Sequence, residues 1–290
     1  MLADAIRAEG YRLAKNRTAL FWSLLFVPVM AVIVGALSNL FLKANEAKLT
    51  AAVHGPPGLK LMLSGGPLDL GGVLVEAAGN LANPAVLLFV LIGAATIYAG
   101  DYRWETWRLI SARNSRANLL LGKLVTVAGL SLAAMAFFLA AGVVENLIRA
   151  AIFHRALGFS MDGKAIGQFF AYAGLSWLRV IQFTMMGMLA AVATRSLLAA
   201  LFVPLVFGVA QFFSPQMLMP AGVLPDAWLS LLVNPGSAAD AVKTMIEGGP
   251  AAAALPAGLA LKAWVSLGLW TLVPLVGSVA WFRRQDLSKE

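Results

Sequence analysis

The sequence predicts an all-α membrane protein with six transmembrane helices. It also predicts an N-terminal amphipathic interfacial helix and a re-entrant or outer helical segment between spans 5 and 6. Of the 290 residues, 60% are hydrophobic and 12% are charged, about half the charge of a soluble domain. The mean hydropathy is +0.80, and the gaps between charges approach or exceed the roughly 20 residues that cross a bilayer. Six spans leave no room for a large folded extramembrane domain, so residues 1–290 are expected to form a single transmembrane domain.

Composition excludes several classes of protein. The chain has no cysteine, which excludes a disulfide scaffold, a cysteine-ligated metal and thiol chemistry. Two histidines are too few for a histidine metal cluster, and no metal site is predicted. The net charge of +8 would suggest a nucleic-acid partner in a soluble protein. Here the basic residues flank hydrophobic runs, so the expected partner is the lipid bilayer and no nucleic acid.

The gaps between charged residues locate the spans. Residues 18–42 carry no charge, and this run is too long for a cleaved signal peptide, whose apolar region has about 7–15 residues. One charge, Arg179, interrupts the fourth gap. The interfacial helix is predicted over residues 1–17, and the spans over about residues 18–42, 83–100, 124–144, 167–194, 197–213 and 263–282.

Basic residues are distributed unevenly between the two sides of the predicted bundle. Thirteen Lys and Arg residues fall on the side of the N-terminus and eight on the other, with Arg179 inside a span. Because basic loops stay inside, both termini are predicted to be cytoplasmic. The expected location is the bacterial inner (cytoplasmic) membrane, with a multi-pass topology.

Two segments outside the spans also have recognisable patterns. Leu2, Ile6 and Leu13 repeat at helical spacing, which predicts a basic amphipathic helix on the inner leaflet. The alternative for this segment is a solvated tail. The outer loop of residues 43–79 is rich in Gly and Pro, with one short helix expected around Leu59–Leu63.

The segment after Phe213 is apolar but interrupted by prolines. Pro215, Pro220 and Pro225 argue against one continuous helix. Non-helical backbone at membrane depth must be buried in protein or face a water-filled cavity. A short re-entrant or outer-leaflet helix pair over Gln216–Glu247 is therefore predicted, with an ordinary outer loop as the alternative.

The inner loop between spans 2 and 3 reads DYRWETWRLISARNSRANLLLGK from Asp101 to Lys123. This loop resembles the signature loop of ATP-binding-cassette (ABC) transporter permeases of the type-2 exporter class. Glu105 and Arg113-Asn114 depart from the Gly and Pro-Val common in that family. The residues that match are Asp101, Tyr102, Thr106, Arg108, Leu109, Ser115, Arg116, Gly122 and Lys123.

The resemblance implies a permease domain, the membrane subunit of an ATP-driven exporter, which forms the translocation pathway. It implies two cytoplasmic ABC ATPase subunits and a second permease copy or a related permease as partners. In this family a short helix of the loop docks into a groove on the ATPase, and aromatic and basic side chains suit such a contact. Alternatively, these side chains only anchor the membrane interface. The coupling residues would be Trp104, Glu105, Thr106, Trp107, Arg108, Arg113, Asn114, Ser115 and Arg116.

The chain lacks the phosphate-binding motif of an ATPase. Its Gly-Lys pairs at Gly122 and Gly163 are followed by Leu and Ala, so neither completes G-x-x-x-x-G-K-[ST]. We therefore expect no catalytic residues and no cofactor in this chain, with ATP and Mg bound on the partner ATPase.

A polar stripe runs along one face of span 4, at spacings of three and four residues. Arg179 lies near its centre, where a charge costs at least about 2.5 kcal/mol and must face protein or water. The stripe could line the translocation path, with Arg179 attracting an anionic part of the substrate. It could instead be polar glue between helices or across a dimer seam. Its members are Gln168, Tyr172, Ser176, Arg179 and Gln182.

Three functions are consistent with these patterns. The leading one is the ATP-driven exporter. The second is a non-transporting membrane subunit that uses ATPase energy for assembly, signalling or release of a periplasmic partner. An ion-driven transporter ranks third. Such a transporter would be expected to carry carboxylates well inside a span, and the predicted spans contain none.

The predicted topology is directly testable. A reporter fused after Glu290 and a reporter inserted within residues 51–79 should lie on opposite sides of the membrane, because an odd number of spans separates them. Paired cytoplasmic and extracytoplasmic reporters at each position measure this. Signals from the same side at both positions would contradict the six-span topology.

Overall fold

The computed structural model describes residues 2–46, 48, 66–103, 106–107 and 114–285. Six helices in this part of the chain are long and apolar enough to cross a membrane, which confirms the predicted fold class. They are α2 (Arg17–Ala44), α4 (Pro84–Arg103), α5 (Arg116–Ile152), α6 (Gly163–Thr194), α7 (Leu197–Leu218) and α11 (Leu259–Arg284).

The remaining elements lie at the two ends of the bundle. Helix α1 (Leu2–Lys15) lies at one end, which we name the amino-terminal end. At the opposite end are β1 (Leu68–Asp69), α3 (Leu70–Gly79), β2 (Leu157–Gly158), α8 (Trp228–Val233), α9 (Pro235–Glu247) and α10 (Gly249–Ala253). The helix expected around Leu59–Leu63 falls outside the described residues.

Several spans continue as helix beyond their charge-free cores. Helix α5 has 37 residues and is about 55 Å long, while the hydrocarbon layer is only about 30 Å thick. It begins at Arg116 because the Ser115 hydroxyl accepts a hydrogen bond from the Asn118 N–H at 3.3 Å. Gaps between charges thus mark the apolar core of a span, whereas capping side chains mark the helix end.

Helix α6 is the central element of the bundle. In its membrane-length part 78% of the residues are buried, against 6% in α2. It contacts α3, α4, α5, α7, α9 and α11. Polar side chains on α6 therefore face protein in this chain, whereas most of α2 faces outward.

Helix α2 packs on α4 at a glycine. It contains a π-helical turn, Phe21–Phe26, which ends two residues before Pro28. A Cβ at Gly93 would clash with the Ser23 Oγ, so glycine allows the two helices to approach closely here. The aromatic rings of Phe26 and Phe89 then meet, with centroids 4.6 Å apart.

A two-stranded parallel sheet joins β1 to β2, with Leu68 opposite Leu157. The Asp69 carboxylate also caps α3, because it accepts hydrogen bonds from the Gly71 and Gly72 N–H groups. The hydroxyl and N–H of Ser160 donate to the same carboxylate at 2.6 and 2.8 Å. These hydrogen bonds, that of the Ser160 hydroxyl foremost, hold the pKa of Asp69 below its usual value.

Helix α7 continues through Pro215 to Leu218, past the predicted end at residue 213. Proline removes the N–H that would bond the carbonyl of Gln211. Two side chains replace that donor, because Asn234 Nδ2 and Ser214 Oγ donate to the Gln211 carbonyl at 3.0 and 2.8 Å. The helix therefore extends five residues beyond the end predicted near residue 213, whereas residues 219–227, which include Pro220 and Pro225, are not helical.

The predicted helical segment between spans 5 and 6 begins only at Trp228 and consists of α8, α9 and α10. Asn234 joins α8 to α9, and its Oδ1 accepts hydrogen bonds from the N–H groups of Gly236 and Ser237. A Cβ built at Gly236 would lie 3.8 Å from Arg179 Nη2. This junction therefore reaches the side chain of a residue at the middle of α6.

Asn234 is expected to be the most costly asparagine to replace in this region. Asn234→Ala removes the cap of α9 and one donor to Gln211, at a combined cost of about 1–3 kcal/mol. Thermal unfolding of the purified chain in detergent should show a midpoint lowered by a few degrees. Asn80→Ala is the matched control, because its exposed side chain donates only to the Glu76 carbonyl. Equal midpoints for the two variants would contradict the assigned role.

Candidate functional site

Four charged side chains meet at the amino-terminal end of the bundle, and we name them the ionic cluster: Glu9, Arg12, Asp101 and Lys123. The Lys123 Nζ lies 2.6 Å from Asp101 Oδ2 and 3.0 Å from Glu9 Oε1. The Arg12 Nη1 lies 2.7 Å from Asp101 Oδ1 and 3.3 Å from Glu9 Oε1. The ionic cluster thus ties α1 to the end of α4 and the beginning of α5.

Three members of the ionic cluster, Glu9, Asp101 and Lys123, are buried, and the side chain of the fourth, Arg12, is 44% exposed. Opposite charges in contact compensate the cost of this burial. Asp101 is 0% exposed and Lys123 is 1% exposed, and an unpaired ion at such a site costs several kcal/mol. Lys123 also donates to the Ile97 carbonyl at 2.7 Å and lies 5.2 Å from the ring of Trp107. Burial alone would lower the pKa of Arg12, but the carboxylates of Asp101 and Glu9 raise it above its ordinary value.

Helix α1 docks on α5 through small residues. A Cβ at Gly122 would lie 2.8 Å from the Ala5 Cβ, so glycine allows the two helices to touch. Ala5 and Glu9 are buried on this face, Leu13 packs against the core, and Leu2 is 38% exposed. The predicted helix is present, but its buried face is centred on Ala5 and Glu9 rather than on Leu2.

The first half of the inner loop is attached to the bundle by Thr106 and Trp107. The Thr106 hydroxyl donates to Asp101 Oδ1, and its N–H donates to the Asp101 carbonyl at 3.1 Å. Trp107 is fully buried, with ring centroids 5.4 Å from Tyr102 and 4.5 Å from Phe282. Four of the predicted coupling residues lie outside the described residues: Trp104, Glu105, Arg108 and Arg113.

The second half of the loop is attached at the C-terminal end of α11. Arg116 Nη1 donates to the carbonyls of Phe282, Arg283 and Gln285 at 2.9, 3.1 and 2.6 Å. These carbonyls are among those that a helix end leaves without partners. Before Arg116, the Asn114 Oδ1 accepts from the Ser115 N–H at 2.9 Å. Thr106, Trp107, Asn114, Ser115 and Arg116 therefore all lie at the base of the loop.

Three members of the polar stripe on α6 bond neighbouring helices. Ser176 Oγ donates to the Ala78 carbonyl at 2.8 Å, and Gln182 Nε2 donates to the Leu267 carbonyl at 2.7 Å. Gln168 Nε2 donates to the Ile246 carbonyl at 3.3 Å. These bonds hold α3, α11 and α9 against α6, which is the geometry expected of polar glue.

The remaining two members of the stripe, Tyr172 and Arg179, line cavities. Tyr172, together with Gln168, lines a cavity of about 470 Å³ at the opposite end of the bundle, where Glu76, Lys243 and Glu247 also lie. Arg179 lines a second cavity of about 540 Å³ between α4, α6, α7 and α9. The five residues that the sequence places on one face of α6 therefore have different surroundings in the structure: some bond neighbouring helices and others line cavities.

Six apolar spans, one of them the buried central helix α6, define a multi-pass membrane protein. The family described as ABC-2 family transporter protein matches residues 70–287, which are 218 of the 290 residues. The chain belongs to this family, and it is therefore a membrane subunit of an ABC transporter. The resemblance drawn from the inner loop is confirmed. Comparisons with curated proteins and with solved structures give no significant match.

The sequence patterns did not predict the ionic cluster as a unit. Asp101 and Lys123 belong to the loop pattern, but that pattern does not pair them. Glu9 was not singled out, although it is an acidic residue within a basic amphipathic helix. The sequence did contain one signal for this pair. Asp101 directly follows the second predicted span and Lys123, of opposite charge, directly precedes the third.

Unpairing the ionic cluster should destabilise the chain strongly. Asp101→Asn leaves Lys123 buried without its closest anion, which costs about 3–5 kcal/mol for such a pair. A lowered thermal midpoint in detergent and faster proteolysis after α1 are expected. Lys43→Gln is the control, because it breaks the exposed Lys43–Glu46 pair, worth about 0–1 kcal/mol. Similar losses for the two variants would show that the ionic cluster contributes no more than a surface pair.

Proposed function

We propose that this chain is the membrane subunit of an ATP-driven exporter, forming the translocation pathway and coupling to a separate cytoplasmic ATPase. The observation that best supports this proposal is the attachment of the inner loop at both of its ends. Asp101 holds the beginning through Thr106, and Arg116 holds the end against α11. A loop fixed in this way can transmit force, whereas a solvated loop would bend instead.

The attachments also suggest which helices move together. Asp101 lies in the last turn of α4, Lys123 is the eighth residue of α5, and Glu9 and Arg12 bring in α1. Gln285 extends the connection to α6, because its Nε2 donates to the Val192 carbonyl. A displacement of the loop by an ATPase would therefore be shared by the ends of five helices.

The coupling residues divide into two groups in this proposal. Trp107 and Arg116 are engaged inside the chain, so they hold the loop to the bundle. Contact with the ATPase then falls to the second group, since aromatic and arginine side chains are typical interface anchors. That group comprises Trp104 and Glu105, which precede Thr106 in the chain, and Arg108 and Arg113, which lie between Trp107 and Arg116.

The partners follow from this arrangement. Two cytoplasmic ABC ATPase subunits bind ATP and Mg, and this chain supplies no catalytic residue. A second permease copy or a related permease closes the pathway, because the cavity at Arg179 is bordered by the outward-facing Phe212 and Phe213. The complex lies in the bacterial inner membrane with both termini of this chain in the cytoplasm.

Charge reversal within the loop tests the coupling. Arg108→Glu is expected to weaken co-purification of the ATPase and ATP-dependent transport by at least about tenfold, because removing one partner of a buried interfacial charge pair costs about 2–5 kcal/mol. Arg7→Glu is the matched control, since it makes the same charge change on an exposed site of α1. Transport and ATPase recovery should be measured on the same vesicles.

Unchanged transport by Arg108→Glu would remove this loop from the coupling role. The ATPase activity of the reconstituted complex separates export from the alternative function. Stimulation by a small exported compound supports export. Stimulation only by a protein partner would instead support a non-transporting subunit that uses ATPase energy for assembly, signalling or release.

A further inference from the structure

The cavity beside Arg179 has the size of a ligand site. Its volume of about 540 Å³ lies within the 300–1,000 Å³ that small-molecule sites occupy. Polar groups of Arg179, Gln211 and Asn234 lie on its lining, and Phe183, Phe212 and Phe213 provide an aromatic part. One cavity thus combines a cation with a large apolar surface.

The charge of Arg179 is incompletely matched inside the chain. Its Nη1 donates to Gln182 Oε1 at 2.8 Å, a neutral acceptor. Among the described residues no carboxylate oxygen lies within 4.0 Å of the guanidinium. Asp240 is the carboxylate among the residues that line this cavity, but its side chain is 75% exposed and its Oδ1 lies 3.6 Å from Lys243 Nζ.

An arginine in the middle of a span is costly unless a partner compensates its charge. A guanidinium is always charged and offers five N–H donors in a planar fork, which fits a carboxylate or a phosphate. The protein therefore keeps at this position a group that binds an oxyanion well.

The apolar part of the cavity opens toward the outside of the bundle. Val209 and Phe212, both on α7, are 58% and 69% exposed in this chain. A ligand in this cavity can place a hydrocarbon chain along α7 while its polar end reaches α6. Another cavity of about 530 Å³, between α6, α7 and α11, has an almost wholly apolar lining, including Met186, Phe207 and Trp270. Arg179 gives the cavity beside it a charge that this apolar cavity lacks.

We infer that the cavity between α4, α6, α7 and α9 binds an anionic amphiphile, with its single acidic group on Arg179 and its hydrocarbon tail against α7. The identification of this ligand class as the exported substrate rests on the proposed function. The existence of the binding site does not. The tail enters from the bilayer, and the acidic group is a carboxylate or a phosphate.

A pair of probes that differ only in charge tests the site. The full chain is reconstituted in nanodiscs of zwitterionic phospholipid and titrated with pyrene-dodecanoic acid or with its methyl ester. The acid should bind at least about tenfold more tightly than the ester, as expected for one charge-assisted interaction. Equal affinities for the acid and the ester would overturn the inference without any variant.

Variants assign the preference to Arg179. Arg179→Gln should bind the acid and the ester equally, and it should fold, because an uncharged side chain is easier to insert. Arg179→Lys should keep part of the preference. Arg149→Gln is the control, since it removes a cation from the last turn of α5, outside the cavity. An acid preference that survives Arg179→Gln would overturn the assignment.

Two further measurements identify the source of the ligand and separate this inference from the proposed function. Anionic phospholipid in the nanodisc should reduce acid binding if bilayer lipids compete for the site, and leave it unchanged if the site selects single-chain acids. Co-purification of an ATPase is measured independently. Acid-selective binding without ATPase co-purification would overturn the proposed exporter function but not the binding site. ATPase co-purification without acid-selective binding would overturn only the binding site.

Discussion

The need to neutralise two buried charges organises the amino-terminal end of this protein. Asp101 and Lys123 lie at the ends of consecutive spans, where neither side chain reaches water. Their own contact leaves further donors and acceptors to satisfy, and Glu9 and Arg12 of α1 supply them. The position of α1 is therefore set by electrostatics as much as by its apolar residues. The inner loop depends on the same pair, since Thr106 donates to Asp101.

Side-chain hydrogen bonds to backbone carbonyls organise the rest of the bundle. Arg116 satisfies the end of α11, and Asn234 satisfies the carbonyl that Pro215 leaves free in α7. Gln182 and Ser176 donate from α6 to carbonyls of α11 and α3. In an apolar environment these donors have few alternatives, so each bond fixes the relative position of two elements.

The sequence predicts what depends on hydropathy and local pattern. Six spans, the amphipathic helix, the segment before α11 and the family of the inner loop all follow from charge gaps, periodicity and motif. Pairings between distant residues do not follow, because Glu9 and Lys123 are 114 positions apart and either could have been solvated. The continuation of α7 through Pro215 was unpredictable for the same reason, since its compensating donor, Asn234, is 19 positions away. Likewise, helical spacing placed Gln182 and Arg179 on one face of α6. It could not show that Arg179 borders a cavity whereas Gln182 bonds a carbonyl of α11.

The proline in α7 has a mechanical consequence. Between Gln211 and Pro215 the helix has no backbone hydrogen bond to break, so bending there costs less than elsewhere in the span. The Asn234 side chain bridges this weak point and belongs to the segment that borders the cavity. A hinge at Pro215, bridged by the Asn234 side chain, would let the part of α7 after Pro215 move together with α8 and α9. The width of the cavity mouth would then follow the angle of a single helix.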